Sequence, residues 1–173
     1  IDVSILNAGI YVPQDGTQIM PGVYAEHMDI NYMGVVNTLA AVIPTMLSVG
    51  QGHIVIMSSV AGWRGLPKAA AYGPTKAALI SLAESLYFDL TPRNIKIQVI
   101  CPGFVDTEAT SVNEFEMPDL ITAEAAAEFI ILGMQSNLFS VSFPKSFTRK
   151  IKFLKCLPNS LYFHLVGKQT GAT

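Results

Sequence analysis

The chain has 173 residues, half of them hydrophobic and 14% charged, which is enough for one globular domain with a real core and too apolar for a disordered segment. Its two cysteines, Cys101 and Cys156, lie far apart with no Cys-x-x-Cys or Cys/His cluster, so neither a disulfide framework nor a metal site is expected, and a reducing, cytoplasmic setting fits best. The formal charge of −2 hides an asymmetry: residues 1–128 carry five basic and thirteen acidic side chains, whereas residues 129–173 carry six basic and no acidic ones.

Val3 to Leu6 is a short apolar run closed by Asn7-Ala8-Gly9, the pattern of a parallel strand ending in a turn. Residues 10–21 hold two prolines and little periodicity and are expected to form a loop. From about Val23 to Leu47 apolar residues recur at three- and four-residue steps (Met28, Tyr32, Val35, Leu39, Val42, Met46), which predicts a helix that Pro44 should end or kink in its last turn. No stretch here has the eighteen or so consecutive apolar residues of a membrane span.

A second apolar strand over 53–57 runs into Ser58-Ser59 and a Gly-rich bend, followed by a helix from about Ala71 to Leu90. A third strand, Ile95 to Ile100, leads into Cys101-Pro102-Gly103. Strand, helix, strand, helix, strand is a βαβαβ array, which right-handed crossovers fold into a parallel sheet. After an irregular acidic stretch, 108–121, Thr122 caps a helix to about Gln135, and Leu138 to Phe143 alternates as a last strand stopped by Pro144. The remainder, 145–173, is a basic tail with Phe147, Ile151, Leu154 and Leu157 at helical steps. Such a helix fits contact with an anionic membrane surface, or packing of its apolar stripe on the body or a partner subunit. Pro158 should break it.

Tyr72 and Lys76, at i and i+4, share one helix face. A free phenol has a pKa of about 10 and is no base at neutral pH. An ammonium roughly 4 Å away stabilises the phenolate by about 4 kcal/mol at an effective dielectric near 20, which suits general acid/base transfer. Ser59 sits at the carboxyl end of its strand, where ligands bind in open α/β sheets. Simpler roles compete: Ser59 as a turn cap, Asn31 as a break in its helix through backbone bonding, Gly9 and Gly103 as backbone geometry, Thr107 as a helix cap, and Cys101 as a buried hydrophobe.

The order and spacing of these residues resemble the short-chain dehydrogenase/reductase superfamily, in the form termed classical and truncated at its amino terminus. Ser59 stands thirteen residues before Tyr72, Asn7-Ala8-Gly9 matches the turn after the family's fourth strand, Asn31 its helix asparagine, and Pro102-Gly103-Phe104-Val105-Asp106-Thr107 its P-G-x-x-x-T segment. The resemblance implies a three-layer Rossmann-like α/β fold lacking the first βαβ units. Residues 1–144 would be the catalytic part, from the fourth strand onward, and 145–173 the tail.

It also implies an NAD(P)-dependent oxidoreductase that interconverts alcohols and carbonyls by hydride transfer. Tyr72 would be the acid/base, Lys76 would depress its pKa and bind the nicotinamide ribose, Ser59 would bind the substrate oxygen, and Asn31 would hold a water. Asn7, Ala8 and Gly9 would pass the adenosine half of the cofactor, and Pro102, Gly103, Val105 and Thr107 would border the nicotinamide together with Tyr72 and Lys76. The segments 63–66 and 108–121 would shape a pocket for a lipophilic alcohol or ketone, and the protein would be a homo-oligomer. Because the family's Gly-rich pyrophosphate turn has no counterpart here, NAD and NADP are not distinguished, and the chain is expected to be a fragment of a working enzyme that is inactive alone; a non-catalytic fragment or partner subunit is the alternative. With no strand before it, Asp2 to Leu6 would be an apolar sheet edge.

Overall fold

The computed structural model describes residues 1–113 and 115–171; position 114 of the acidic stretch and positions 172 and 173 of the tail lie outside the described residues. Four parallel strands, β1 (Val3–Leu6), β2 (Gly52–Met57), β3 (Ile95–Pro102) and β4 (Ser140–Phe143), pair in sequence order. The register sets Leu6 beside Ile56, Ile56 beside Val99, and Ile100 beside Val141.

Successive side chains of a strand face opposite sides, and here both sides are apolar. Ile54 and Ile56, with Leu6, Ile97 and Val99, pack against Val35, Leu39 and Met46 of α2 (Gly34–Val49) and Leu79 and Ala83 of α3 (Tyr72–Leu90). Val55, Met57 and Ile100 pack on the other side with Ala126 of α5 (Ala123–Gln135) and Val141 and Phe143 of β4. The result is a helix–sheet–helix sandwich, a Rossmann-like α/β arrangement. Among the described residues β1 is an edge strand, and its Val3 and Ile5 are 45% and 50% exposed.

The first long helix departs from its expected form. It begins with α1 (Pro21–Met28), where Pro21 occupies the first turn without needing its missing N–H. It then widens into one π-helical stretch over Asp29–Met33 and continues as α2. Pro44 does not end it: Val42 and Met46 on either side are buried, Met46 against the sheet, and the helix runs on to Val49, where Gly50 closes it at a φ of 78°. The whole run, Pro21–Val49, is long and apolar enough by composition to cross a membrane, but its apolar stripe is spent on the sheet.

β4 starts two residues later than the alternation suggests, because the Leu138 carbonyl accepts from the buried Gln98 amide (2.5 Å) and Leu138 itself is exposed. After the short α4 (Glu108–Ser111) and β4, the tail forms two helices, α6 (Lys145–Lys155) and α7 (Asn159–Thr170), separated at Pro158. Phe147, Tyr162 and Val166 are buried and Ile151, Leu154 and Leu157 half-buried, so the apolar stripe of the tail packs inward.

Candidate functional site

Three strand ends build the site. β1 stops at Leu6 and the chain turns through Asn7-Ala8-Gly9, all exposed. A Cβ at Gly9 would stand 3.1 Å from Asn31 Oδ1 and 3.4 Å from Lys76 Nζ, so this turn is where Asn31 and Lys76 meet. Asn31, fully buried in the π-helical stretch, spends its amide on the loop: Oδ1 accepts from Ile10 N–H (2.7 Å), and Nδ2 donates to the Ile10 carbonyl (3.0 Å) and to Thr75 Oγ1 (3.1 Å). The helix is locally widened there, yet the bonds of Asn31 are long-range.

β2 delivers Met57, Ser58 and Ser59. Ser58 Oγ donates to the Lys76 carbonyl (2.8 Å) and ties α3 to the strand end, while Ser59 Oγ accepts from Ala61 N–H (3.1 Å) and caps the 3-10 turn Val60–Gly62. That turn fits against α3 because residue 62 is glycine: a Cβ there would come within 2.7 Å of the Lys76 backbone. Tyr72 opens α3 and lies edge-on to Tyr11, ring centres 5.1 Å apart. Lys76 is buried one turn on and donates to the Met57 carbonyl at 2.9 Å.

The electrostatics differ from the simple ion–phenol picture. Burial pushes the Tyr72 phenol up to about 12, with the neighbouring Ser59 hydroxyl pulling partway back. Burial likewise lowers Lys76 to about 8, opposed by Cys101. The ammonium stands 5.5 Å from the Tyr72 ring centre and is anchored on a carbonyl, so loss of hydration rather than the cation sets the phenol.

From β3, Gly103 donates its N–H to the Phe143 carbonyl (2.7 Å), and a Cβ on it would strike Phe147 at 2.7 Å. Val105 forms a single bridge to Ile121, and Thr107 N–H donates to Thr110 Oγ1 (3.1 Å) at the start of α4. Phe104 lies edge-on to Phe115 and tilted against Phe147, ring centres 5.8 and 5.3 Å away, giving this side an aromatic wall. A cavity of about 240 Å³ lined by Pro13, Lys68, Val112, Asn113 and Phe115 lies beside Tyr11, whose hydroxyl donates to Asn113. A groove of about 520 Å³ opens at the opposite, amino-terminal ends of the strands, between Asp2, His53 and Lys96, away from where such sheets bind ligands.

Asn31, Ser59, Tyr72 and Lys76 therefore share the carboxyl edge of the sheet with the Gly9 turn. Thr75, Tyr11, Ser58 and Gly62 were not among the residues singled out in the sequence. Only Ser58, in the Ser-Ser pair, carried any signal. Trp63 and Arg64 both touch the tail: Lys152 lies over the Trp63 ring at 5.2 Å while Trp63 also packs on the core, and Arg64 enters the α6–α7 junction.

The fold and this edge define a Rossmann-like α/β protein with a Tyr/Lys pair at the carboxyl edge of its parallel sheet. The family model for short chain dehydrogenases matches residues 1–117, and the chain belongs to that family. An "uncharacterized oxidoreductase" of Myxococcus xanthus (strain DK1622) is 36% identical over 162 residues, which cover 94% of this chain and 64% of that protein. A short-chain dehydrogenase from Burkholderia cenocepacia J2315, in complex with NADP, superimposes with a TM-score of 0.84 at 24% identity, over 96% of this chain and 69% of that one. A gluconate 5-dehydrogenase from the same organism, in complex with NADP and tartrate, is 30% identical with a TM-score of 0.62, over 64% of this chain and 43% of that one. The chain thus spans less than two thirds of the length of the Myxococcus relative.

Proposed function

We propose that this chain is the catalytic part of an NAD(P)-dependent oxidoreductase that interconverts an alcohol and a ketone or aldehyde. The observation that carries this is the convergence of Asn31, Ser59, Tyr72 and Lys76 beside the Gly9 turn at the carboxyl edge of a parallel sheet. The NADP-bound Burkholderia structures support the choice of cofactor.

The residues present fit the nicotinamide half of such a cofactor. Gly9 leaves room for close approach beside Asn31 and Lys76, and the buried Lys76 has a single carbonyl partner among the described residues, so its remaining donors suit ribose hydroxyls. Asn7, Ala8, Gly9, Pro102, Gly103, Val105 and Thr107 would line it. When bound, the cofactor supplies or accepts the hydride.

The protein's part is positioning and proton transfer. Ser59 Oγ donates to the substrate oxygen while its own lone pair holds Ala61 N–H. Tyr72 Oη gives that oxygen its proton in reduction and takes it back in oxidation. A phenol pushed up to about 12 stays protonated at neutral pH but is a weak acid, so it gives its proton only to a stronger base such as the alkoxide oxygen formed in reduction. Asn31 and Thr75 brace the Tyr72 end of α3: Thr75 Oγ1 accepts from Asn31 and donates to the Tyr72 carbonyl (2.7 Å). The Phe104, Phe115 and Phe147 wall suits a lipophilic substrate. The same reading has the protein act in the cytoplasm as a homo-oligomer.

Reduction of a panel of ketones with NADPH and NADH, using the product of the complete reading frame, tests the proposal. Cofactor oxidation that requires ketone supports it, and no turnover with either cofactor across the panel overturns it in favour of a non-catalytic partner subunit. A second reading, contact of the tail with an anionic membrane, is favoured by one observation. Phe153 is 67% exposed among Arg149, Lys150 and Lys152. Co-sedimentation with phosphatidylserine vesicles decides it, since equal negligible binding with and without 145–173 removes the idea.

A further inference from the structure

We propose that Arg64 is a positioning residue of the site: it clasps the α6–α7 hairpin so that Phe147 is held against Gly103 and Phe104, and the aromatic wall that follows β3 depends on that clasp. Arg64 lies just beyond the 3-10 turn capped by Ser59, and its side chain enters the junction between the two tail helices. Nη1 donates to the carbonyls of Leu154 (3.1 Å), Lys155 (3.0 Å) and Leu157 (2.7 Å), and Nη2 donates to Asn159 Oδ1 (2.6 Å). The guanidinium carbon sits 3.8 Å above the centre of the Tyr162 ring, and Tyr162 Oη donates to the Gly65 carbonyl (2.6 Å), closing the clasp from the other side.

The chemistry needs an arginine. The carbonyl end of α6 is its negative end, and although the Leu154 carbonyl also accepts from Leu157 N–H (3.2 Å), the carbonyls of Lys155 and Leu157 turn to Arg64. A planar fork supplies several donors and a charge while still stacking on an aromatic face, which an ammonium does not reproduce. The hairpin has little else of this kind to hold it, since its own ionic side chains are all basic: Lys145, Arg149, Lys150, Lys152, Lys155 and Lys168.

What the clasp controls follows from Phe147. It is buried on the first turn of α6, fills the space a Cβ on Gly103 would take, and packs on Phe104. One short segment therefore begins with Ser59 at the end of β2 and ends by fixing, through the hairpin, the aromatic wall that follows β3. Loosening it should open the wall to the substrate while leaving the proton-transfer residues in place.

Because this role presupposes the catalytic reading above, the test has one arm that does not need turnover. In the product of the complete reading frame, R64A should speed amide hydrogen exchange across 145–171. It should also raise KM for a bulky aryl ketone about tenfold, with kcat changed less than about threefold and its pH profile unmoved. Added guanidinium ion at low concentration should recover part of the KM, and Y162F, which removes one hydroxyl, should show a smaller rise in KM. If R64A does not fold, Y162F and N159A decide the same points. Unchanged exchange in the hairpin overturns the clasp. KM within about twofold of the parent, or a pH profile that shifts with kcat, overturns the positioning role. No turnover by the unsubstituted protein overturns the catalytic reading and the positioning role with it, and the exchange arm still decides whether Arg64 holds the hairpin.

Discussion

Lys76 Nζ is anchored on the Met57 carbonyl at 2.9 Å and stands 5.5 Å from the centre of the Tyr72 ring, so a buried cation is tethered to a strand end beside a half-buried phenol. Burial lowers Lys76 from 10.5 to about 8. Between those values the folded protein binds fewer protons than the unfolded chain, and stability rises with pH. Below pH 8 both states carry the charge, and the folded state bears the full cost of burying it. Lys76→Met removes this dependence. The parent should therefore gain on the variant from pH 8 to 10 by at most about 3 kcal/mol, read from urea titrations at pH 7 and 9.5. A gap that does not move with pH would show the lysine to be better hydrated than its burial implies. Tyr72, raised to about 12, works the other way only above pH 10, where the unfolded chain loses a proton that the folded one keeps.

Tyr72→Phe removes the proton donor and keeps the ring that packs on Tyr11. Ketone reduction should fall by about 10² to 10⁴, with NADPH affinity by fluorescence titration almost unchanged. Full turnover by this variant would refute the acid/base role.

Asn31→Ala leaves both backbone groups of Ile10 without their side-chain partner and strips a donor from Thr75. The expected cost is about 2–3 kcal/mol, seen in thermal or urea unfolding, with turnover reduced because the loop after β1 and the start of α3 lose their common tie. A variant as stable as the parent would mean that water replaces all three bonds.

Gly62→Ala sets a methyl 2.7 Å from the Lys76 backbone, where only main-chain atoms can yield. A loss of about 1–3 kcal/mol is expected, along with displacement of α3 and a fall in kcat. Gly65→Ala, with nothing within 4 Å of its added carbon, serves as the control and should unfold with the parent.

Much of this site was legible in one dimension. The apolar runs of β1, β2 and β3 and the period of α2 and α3 follow from local pattern, and residues placed at strand ends and first helical turns follow with them. Ser59 and Tyr72 sit at such landmarks with Lys76 one turn on, whereas Asn31, in mid-helix, was visible only because the order and spacing of the set resemble a known family. What local pattern misjudged were points where packing overrides propensity: Pro44, carried through by buried Val42 and Met46, and Leu138, drawn out of β4 by the Gln98 amide.

The sequence by itself determined the parallel βαβαβ array and the residues at its carboxyl edge, since these depend on hydrophobic period and turn chemistry within short stretches. Only the tertiary structure decided how those residues act on each other. The shift of Tyr72 depends on how much of its surroundings is protein, the tether of Lys76 on a carbonyl nineteen residues away, and the use of Arg64 on a helix end ninety residues away. Desolvation and long-range hydrogen bonds are properties of the packed chain, and no spacing along the sequence contains them.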